Sequence, residues 1–151
     1  MRIAPATKDM LSIIVDIVQT TIDEIYPKYY PMGAVAFFKE LHSDNNIVRD
    51  IANGHVYYLS DNDRIVGTVT IKENHILRLF VLREFQHKGF GQIILDFAEG
   101  KIGKEYSDIE IDASFPAKHI YLKRGYIDKE YNKILTDNGD YLCYDVMNKA
   151  I

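Results

Sequence analysis

The sequence predicts an α/β (α+β) fold in which helices cover both faces of a mixed, mostly antiparallel central sheet. Three observations lead to this class. Apolar residues recur at helical spacing near the N-terminus, strand-like runs joined by short polar links follow, and helical and strand patterns then alternate. The predicted order of elements is ααβββαβαββ, which is typical of a sheet between two layers of helices. Residues 1–151 have the length of a single domain.

Two helices are predicted before the first strand. The first follows Thr7, a residue suited to capping a helix, and its apolar stripe comprises Leu11, Ile14, Val15, Val18, Ile22 and Ile25. Pro27 and Pro31 end this helix because proline lacks a backbone donor, and they bracket a tyrosine-rich connection. The second helix is indicated by Ala34, Phe37, Phe38 and Leu41. Residues 44–53 add a further turn or two before Gly54.

Three strands are predicted next, and short polar links join them. The strands are Val56–Ser60, Ile65–Ile71 and His75–Val81. Links of this length favour antiparallel hairpins, so we expect these strands to form one side of the sheet.

Helices and strands alternate over the rest of the chain. A helix after Gly91 carries on one face the residues Ile93, Ile94, Phe97, Ala98 and Ile102. Ile109–Ala113 alternates like a short strand. Pro116 opens the next helix in the first position, and Gly125 closes it. The chain ends in a hairpin with the strands Tyr126–Leu135 and Tyr141–Met147.

Composition and charge describe an ordinary globular protein and exclude several function classes. Apolar residues make up 47% of the chain, charged residues 26%, and the net charge is −4. General binding to nucleic acid or to a membrane is not expected, because both favour a basic surface. The single Cys143 excludes an internal disulfide and a cysteine-rich metal site, and we expect a buried thiol. We expect a cytoplasmic protein, because neither a run of ~20 apolar residues nor a signal-peptide pattern is present.

The segment from His75 to Gly91 carries the strongest functional signal. An apolar strand passes through a short charged loop into Gly89 and Gly91, and an amphipathic helix follows at once. Such a loop directs backbone N–H groups and the positive end of a helix at one spot, which is an anion site suited to a pyrophosphate. A dinucleotide motif is excluded because Ile94 replaces its third glycine and antiparallel hairpins precede it. A Walker A sequence is absent.

Two sequence blocks resemble the signature of the GCN5-related N-acetyltransferase (GNAT) family. The first is Gln86-His87-Lys88-Gly89-Phe90-Gly91, which is similar to the acetyl-CoA motif Gln-x-x-Gly-x-Gly. The second runs from Ser114 to Tyr126 and resembles the later motif Asn-x-x-Ala-x-x-x-Tyr-x-x-x-Gly-Phe. Serine replaces asparagine at its start, and Tyr126 replaces phenylalanine at its end. The predicted elements fit a single-domain GNAT-like fold over nearly the whole chain.

The resemblance implies that acetyl-CoA binds as co-substrate and that no metal takes part. The cofactor-binding residues are expected to be Leu79, Phe80, Val81, Gln86, His87, Lys88, Gly89, Phe90, Gly91, Gln92, Ser114 and Lys123. Main-chain groups of the three strand residues are expected to pair with pantetheine and to hold the thioester oxygen. We expect Lys118 to lie on a solvated helix face.

The family pattern also implies roles in acetyl transfer to an amine. Tyr121 is expected to protonate the departing coenzyme A sulfur, because a phenol stays protonated at neutral pH. His75 is the candidate base, since family members often place one about eleven residues before the loop, and histidine titrates near neutral pH. Glu73 is the second choice, and a chain of water molecules is the alternative to both.

The acceptor is expected to bind near the connection between the first two helices. Tyr26, Tyr29 and Tyr30 are the candidate substrate-binding residues there, because aromatic rings can hold a cation. The expected acceptor is a small-molecule or peptide amine, and a homodimer is an open alternative to a monomer. The competing interpretation is a non-catalytic acyl-CoA sensor or interaction module with the same fold.

Overall fold

The computed structural model describes residues 1–151 and shows a seven-stranded sheet with helices on both faces. The helices are α1 (Leu11–Ile25), α2 (Met32–Leu41), α3 (Asp44–Ala52), α4 (Phe90–Ile102) and α5 (Phe115–Lys123). The strands are β1 (Arg2–Pro5), β2 (Val56–Asp61), β3 (Arg64–Lys72), β4 (His75–Val81), β5 (Asp108–Ala113), β6 (Ile127–Leu135) and β7 (Tyr141–Ala150). The predicted fold class is confirmed. None of the helices combines the length and apolar character needed to cross a membrane.

The order of elements differs from the prediction at the N-terminal end. β1 pairs antiparallel with β2 and was not predicted, because four residues that end in Pro5 are too short for a periodic pattern. Thr7 precedes a single 3-10 turn, Lys8–Met10, and α1 begins only at Leu11. Residues after Ser43 form a full helix, α3, because Ile47 and Ile51 bury one face of it. The last predicted helix begins one residue early, so Pro116 takes its second position.

The sheet separates two apolar cores. On one face α1, α2 and α3 pack against the sheet through residues such as Ile14, Val18 and Ile47. On the other face α4 packs through Ile94 and Ala98, together with buried residues of α5 and the strands. Burial of these apolar faces from water is the main favourable contribution to folding.

The strand order is β1-β2-β3-β4-β5-β7-β6, and only β4 and β5 are parallel. Their ladder consists of two residue pairs, since β5 pairs only with His75 and Ile76 of β4. The remainder of β4, Leu77–Val81, therefore diverges from β5. Within this stretch Arg78 has a φ of +45°, and Arg78 and Leu79 together oppose the single residue Val69 of β3. This β-bulge bends the strand away from its neighbour.

The turn between β6 and β7 fastens the start of α2. Asp140 accepts a hydrogen bond from the backbone N–H of Gly33 at 2.8 Å and so satisfies a donor of the first helical turn. A Cβ on Gly33 would lie 1.9 Å from Oδ1 of Asn138, so a larger residue at 33 would force the Asn138 side chain to move. α2 is thus held in place by residues more than a hundred positions away.

Glu99 joins α4 to the end of α5. Its carboxylate accepts hydrogen bonds from the Arg124 guanidinium at 2.7 and 3.0 Å and from the hydroxyl of Tyr126 at 3.0 Å. A phenylalanine at 126 would leave this third bond unmade. The replacement of phenylalanine by tyrosine at the end of the second block therefore has a structural reason in this chain.

Two surface expectations need correction. Lys118 is not on a free solvated face, since its ammonium pairs with Asp128 and Asp145, both at 3.0 Å. These contacts tie α5 to β6 and β7. Cys143 is half-buried, not enclosed, because β6 and β7 form an end of the sheet that the helices only partly cover.

Candidate active site

A long cleft runs along α4, α5 and the diverging part of β4. Its volume is about 600 Å³, which is typical of small-molecule sites. The cleft is lined by Thr21, Ile25, Tyr26, Tyr29, Leu79, Phe80, Val81, Gln86, His87, Gly89, Gly91, Gln92, Leu95, Ser114, Pro116, Ala117, His119, Ile120 and Tyr121. All but three of the residues predicted to bind the cofactor therefore share one cavity.

The three exceptions are Lys88, Phe90 and Lys123. Phe90 points into the core beneath α4, where its ring meets that of Phe85 edge to face. Lys88 is exposed and its ammonium lies 5.3 Å from the centre of the Phe85 ring. Lys123 is exposed at the last position of α5. None of these three residues lines the cleft.

The loop before α4 directs backbone N–H groups at one end of the cleft. His87 and Gly89 are both left-handed, with φ of +60° and +86°, and such conformations gather successive N–H groups into a concave nest. The N–H groups of the first turn of α4 have no partner within the helix, and no side chain caps them. This end of the cleft can therefore hold an anion through backbone groups and the positive end of a 13-residue helix.

Gly91 and Gln86 shape this anion site in different ways. Gly91 has a helical backbone, and a Cβ placed on it would meet no atom within 4 Å, so the missing side chain leaves free space in the cleft. Gln86 donates from Nε2 to the carbonyl oxygen of Val81 at 2.9 Å. The glutamine therefore fastens the loop to the end of β4.

A smaller chamber opens off the gap between β4 and β5. Its volume is about 80 Å³. The chamber is lined by Tyr26, Phe38, His42, Ile76, Leu77, Arg78, Leu79, Phe80, Ile111, Asp112, Ser114, Ala117, Tyr121 and Tyr144. Tyr26, Leu79, Phe80, Ser114, Ala117 and Tyr121 line the cleft as well, so the two cavities adjoin at the diverging strands.

Tyr121 lies where the cleft and the chamber meet. It is 6% exposed and contacts the ring of Tyr126 edge to face at 5.8 Å. Burial, together with the neighbouring Tyr26 phenol, raises the pKa of Tyr121 well above its ordinary value. The hydroxyl therefore remains protonated at neutral pH and can donate a hydrogen bond or a proton.

A buried charged cluster supports the chamber. Arg78 lies 2.5 Å from the Asp50 carboxylate, in a contact poorly aligned for a hydrogen bond, and Lys72 pairs with the same carboxylate at 2.7 Å. Burial raises the pKa of Asp50, but the neighbouring cations Lys72 and Arg78 outweigh this effect and lower the pKa overall. One carboxylate is thus shared by two cations, and Arg78 has a charged partner within the protein.

His42 belongs to the same cluster and is neutral. Its Nδ1 accepts a hydrogen bond from Nε of Arg78 at 3.0 Å. Burial and the positive charge of Arg78 lower the pKa of His42 to about 3. Because Nδ1 is an acceptor, the proton of the neutral ring is on Nε2.

The predicted base lies at the edge of this arrangement. His75 lines neither cavity, but its Nε2 is 3.1 Å from a carboxylate oxygen of Asp112, which does line the chamber. Glu73 has a left-handed backbone at the tip of the β3–β4 turn and also lines neither cavity.

The three predicted substrate tyrosines occupy different positions. Tyr26 is buried between the cleft and the chamber, and burial raises its pKa to about 12, an effect that the Ser114 side chain opposes. Tyr29 is half exposed on the wall of the cleft. Tyr30 lines neither cavity. Its hydroxyl accepts the backbone N–H of Phe115 at 2.8 Å, and it stacks on that ring, so it anchors the start of α5.

Sequence reasoning missed Asp112, His42 and His119. A signal existed for Asp112, because the carboxyl ends of adjacent parallel strands meet at one edge of a sheet. His119 is exposed on the face of α5 that borders the cleft, four positions before the end of the helix. His42 follows α2 and carries no local pattern.

The fold matches that of known acetyltransferases. Residues 25–139 match the model of the Acetyltransferase (GNAT) domain. A GCN5-related N-acetyltransferase from Rhodopseudomonas palustris is similar in structure, with a TM-score of 0.90 and 20% identity, over 99% of this chain and 95% of that one. PaiA N-acetyltransferase from Thermoplasma acidophilum was solved in complex with coenzyme A. Its TM-score is 0.76 at 18% identity, and the match covers 99% of this chain and 98% of that one.

A third similar structure is ribosomal-protein-alanine N-acetyltransferase from Brucella melitensis. Its TM-score is 0.75 at 12% identity, and the match covers 100% of both chains. The chain has no match among curated protein sequences. Likeness at these identities establishes the fold, and the domain model spans well over half of the sequence. This protein therefore belongs to the GNAT acetyltransferase family, and the predicted membership of that family is confirmed.

Proposed function

We propose that the protein is an acetyl-CoA-dependent N-acetyltransferase that transfers the acetyl group to a primary amine by direct attack on the thioester. The observation that carries this proposal is the position of Tyr121, a protonated buried phenol where a cofactor-sized cleft adjoins a small polar chamber. Such a junction lets two substrates meet beside a proton donor.

The cleft fits coenzyme A on two observations. The free space at Gly91 and the nest at His87 to Gly89 suit a pyrophosphate that backbone N–H groups approach closely. The part of β4 from Leu79 to Val81 lacks a β5 partner, so it offers main-chain groups to an extended arm. Ser114 borders both cavities, which supports a hydrogen bond from its hydroxyl to the same arm.

Bound acetyl-CoA would supply an activated acyl group. The residues of this chain would stabilise the developing charge and transfer the protons. Backbone N–H groups of β4 would hold the acetyl oxygen as it gains negative charge. The amine nitrogen forms a bond to the acetyl carbon while the carbon–sulfur bond breaks. Tyr121 donates its phenolic proton to the departing sulfur and recovers a proton from the former amine nitrogen.

Titration calorimetry with coenzyme A and acetyl-CoA, with NAD as control, tests the cleft. Release of the free thiol in the presence of primary amines tests the transfer. We expect saturable binding of both coenzyme A species, no binding of NAD, and amine-dependent thiol release.

Tyr121→Phe tests the role of the phenol. We expect this variant to bind acetyl-CoA within about twofold of the wild type, while kcat falls about 100-fold, as is usual for loss of a general acid. Tyr106→Phe, at an exposed tyrosine, is the matched control and should leave both quantities unchanged. Equal and small losses in binding and kcat would remove Tyr121 from the chemistry. Tight binding of acetyl-CoA without transfer to any amine would instead indicate a sensor.

A further inference from the structure

We propose that Asp112 binds the acceptor as an ammonium ion at the chamber, and that His75 passes the proton released there to solvent. This inference rests on the proposed acetyl transfer and adds the residue that would bind the charged end of the acceptor. It assigns a role to the contact between the two side chains, which lies at the edge of the chamber and outside the cleft.

Asp112 is the only carboxylate among the residues that line the chamber. Its side chain is 40% exposed and contacts the His75 ring. It pairs with no lysine or arginine. By contrast, the cationic Arg78 of the chamber wall is already paired with Asp50. The chamber therefore has one carboxylate free to meet a cation that comes from outside.

The walls and size of the chamber suit an unhindered primary amine. Aromatic rings of Phe38, Phe80 and Tyr144 surround the cavity and can contact an ammonium group. A volume of about 80 Å³ corresponds to roughly three water molecules at ~30 Å³ each. The chamber therefore has room for the aminomethyl end of an acceptor, while the rest of that molecule stays outside it.

His75 connects this carboxylate to solvent. The side chain of His75 is 29% exposed, and its ring contacts Asp112 at 3.1 Å. An acceptor ammonium gives one proton to the Asp112 carboxylate, and the neutral amine then attacks the thioester. The proton moves to the His75 ring and from there to water. The second proton of the ammonium ends on the coenzyme A sulfur through Tyr121, so the transfer releases one proton in total.

Other ionisable groups lie near Asp112. Tyr144 of β7 faces it, and burial together with the negative charge of Asp112 raises the pKa of Tyr144. Arg78 of β4 and His42, which follows α2, line the same chamber, and Tyr26 and Tyr121 border it. His42 and the tyrosines are uncharged at neutral pH, and Arg78 is paired with Asp50, which it shares with Lys72. His75 is therefore the neighbour whose ring nitrogen lies within hydrogen-bond distance of Asp112 and can take a proton from it.

The first experiment measures binding without chemistry. The wild-type protein is saturated with coenzyme A, which carries no acetyl group, and titrated with n-butylamine or with n-butanol at pH 7. We expect binding of the amine and not of the alcohol. Asp112→Asn should weaken amine binding about 10- to 100-fold, as expected for loss of a charged hydrogen bond. Glu110→Gln, on the same strand and outside the chamber, is the control and should bind the amine normally.

The outcomes separate the acceptor site from the proposed activity. Amine binding that depends on Asp112, without acetyl transfer, would support the ammonium site and overturn the transferase. Transfer to n-butylamine with equal KM in wild type and Asp112→Asn would keep the transferase and overturn the role of Asp112. Failure of the wild type to bind n-butylamine would also overturn it.

His75→Gln tests the relay, because glutamine can still donate a hydrogen bond to Asp112 but cannot carry a proton. We expect an unchanged KM for n-butylamine and a kcat about tenfold lower at pH 7. This deficit should shrink as the pH approaches ~10, where the amine is increasingly neutral before it binds. A deficit independent of pH, or wild-type kcat at pH 7, would overturn the relay.

Discussion

The cleft and the chamber adjoin at Tyr121, yet the chain builds them in different ways. The anion end of the cleft is made by backbone groups of one contiguous segment, residues 86–92, and depends on glycine and on left-handed backbone. The chamber is made by side chains from α2, β4, β5, α5 and β7. A site made of local backbone leaves a spacing that can be recognised in sequence. A site made of distant side chains exists only after folding.

The largest expected effect comes from removing the charge beneath the chamber. Asp50→Asn leaves the buried Arg78 guanidinium without its balancing carboxylate, and such losses cost about 3–5 kcal/mol. We expect the free energy of unfolding, measured with denaturant, to fall by about 3 kcal/mol. The folded fraction should still bind coenzyme A, because the anion site does not use this cluster. Unfolding at the wild-type denaturant concentration would show that the cluster does not support the chamber.

The matching change in the cleft should remove ligand binding and spare the fold. Gly91→Leu places a side chain in the free space at the start of α4, and we expect coenzyme A affinity to fall about 100-fold, or ~2.7 kcal/mol. Gly100→Leu is the control, because Gly100 lies in the same helix with equally free space but away from the cleft. Neither variant should lower the melting temperature, since leucine favours helix over glycine. Normal affinity in Gly91→Leu would place the phosphates elsewhere.

Acid should lower the free energy of unfolding through a residue of the chamber, His42, and not through a residue of the cleft. His42 has a folded pKa of about 3, and an unfolded histidine has one of ~6.5. Below pH 6.5 the unfolded chain therefore binds a proton that the folded chain does not, so stability falls with pH by at most ~1.4 kcal/mol per unit. Between pH 7 and pH 5 we expect a loss of about 2 kcal/mol in the free energy of unfolding.

Substitution at His42 checks this assignment. His42→Gln keeps an acceptor for Arg78 but cannot titrate, so its stability should change little over the same range of pH. His119→Gln, at an exposed position on the cleft, should retain the wild-type slope. An unchanged slope in His42→Gln would assign the acid sensitivity to another group. Asp50 and Glu99 have lowered pKa values, so they lose their stabilising effect only at more acidic pH.

The smallest effect concerns the distant support of the chamber. Gly33→Ala forces the Asn138 side chain away from the start of α2, and we expect a loss of about 1 kcal/mol in the free energy of unfolding. Asn138→Ala in the same chain should recover part of it, and the double-mutant cycle measures the coupling. Strictly additive losses would mean that the β6–β7 turn and α2 are independent.

The fold was predictable to the extent that periodicity and turns encode it. The amphipathic face of α4 and the polar links between β2, β3 and β4 are local signals, and the structure confirms these elements. β1 escaped prediction because its stability comes from pairing with β2 and not from a pattern of its own. The same distinction applies to the site. The spacing of Gly89 and Gly91 can be recognised in the sequence. Arg78, Asp50 and His42, by contrast, come together only through tertiary contacts.

The short ladder between β4 and β5 has a mechanical consequence. A seam of two residue pairs joins two larger antiparallel blocks, β1 to β4 and β5 to β7. Under tension applied across the sheet, this seam is where the blocks should part first. A ligand that lies along the open edge of β4 would act as a partial extra strand and strengthen the connection between the blocks. Occupancy of the cleft should therefore raise the force needed to separate the two halves of the sheet.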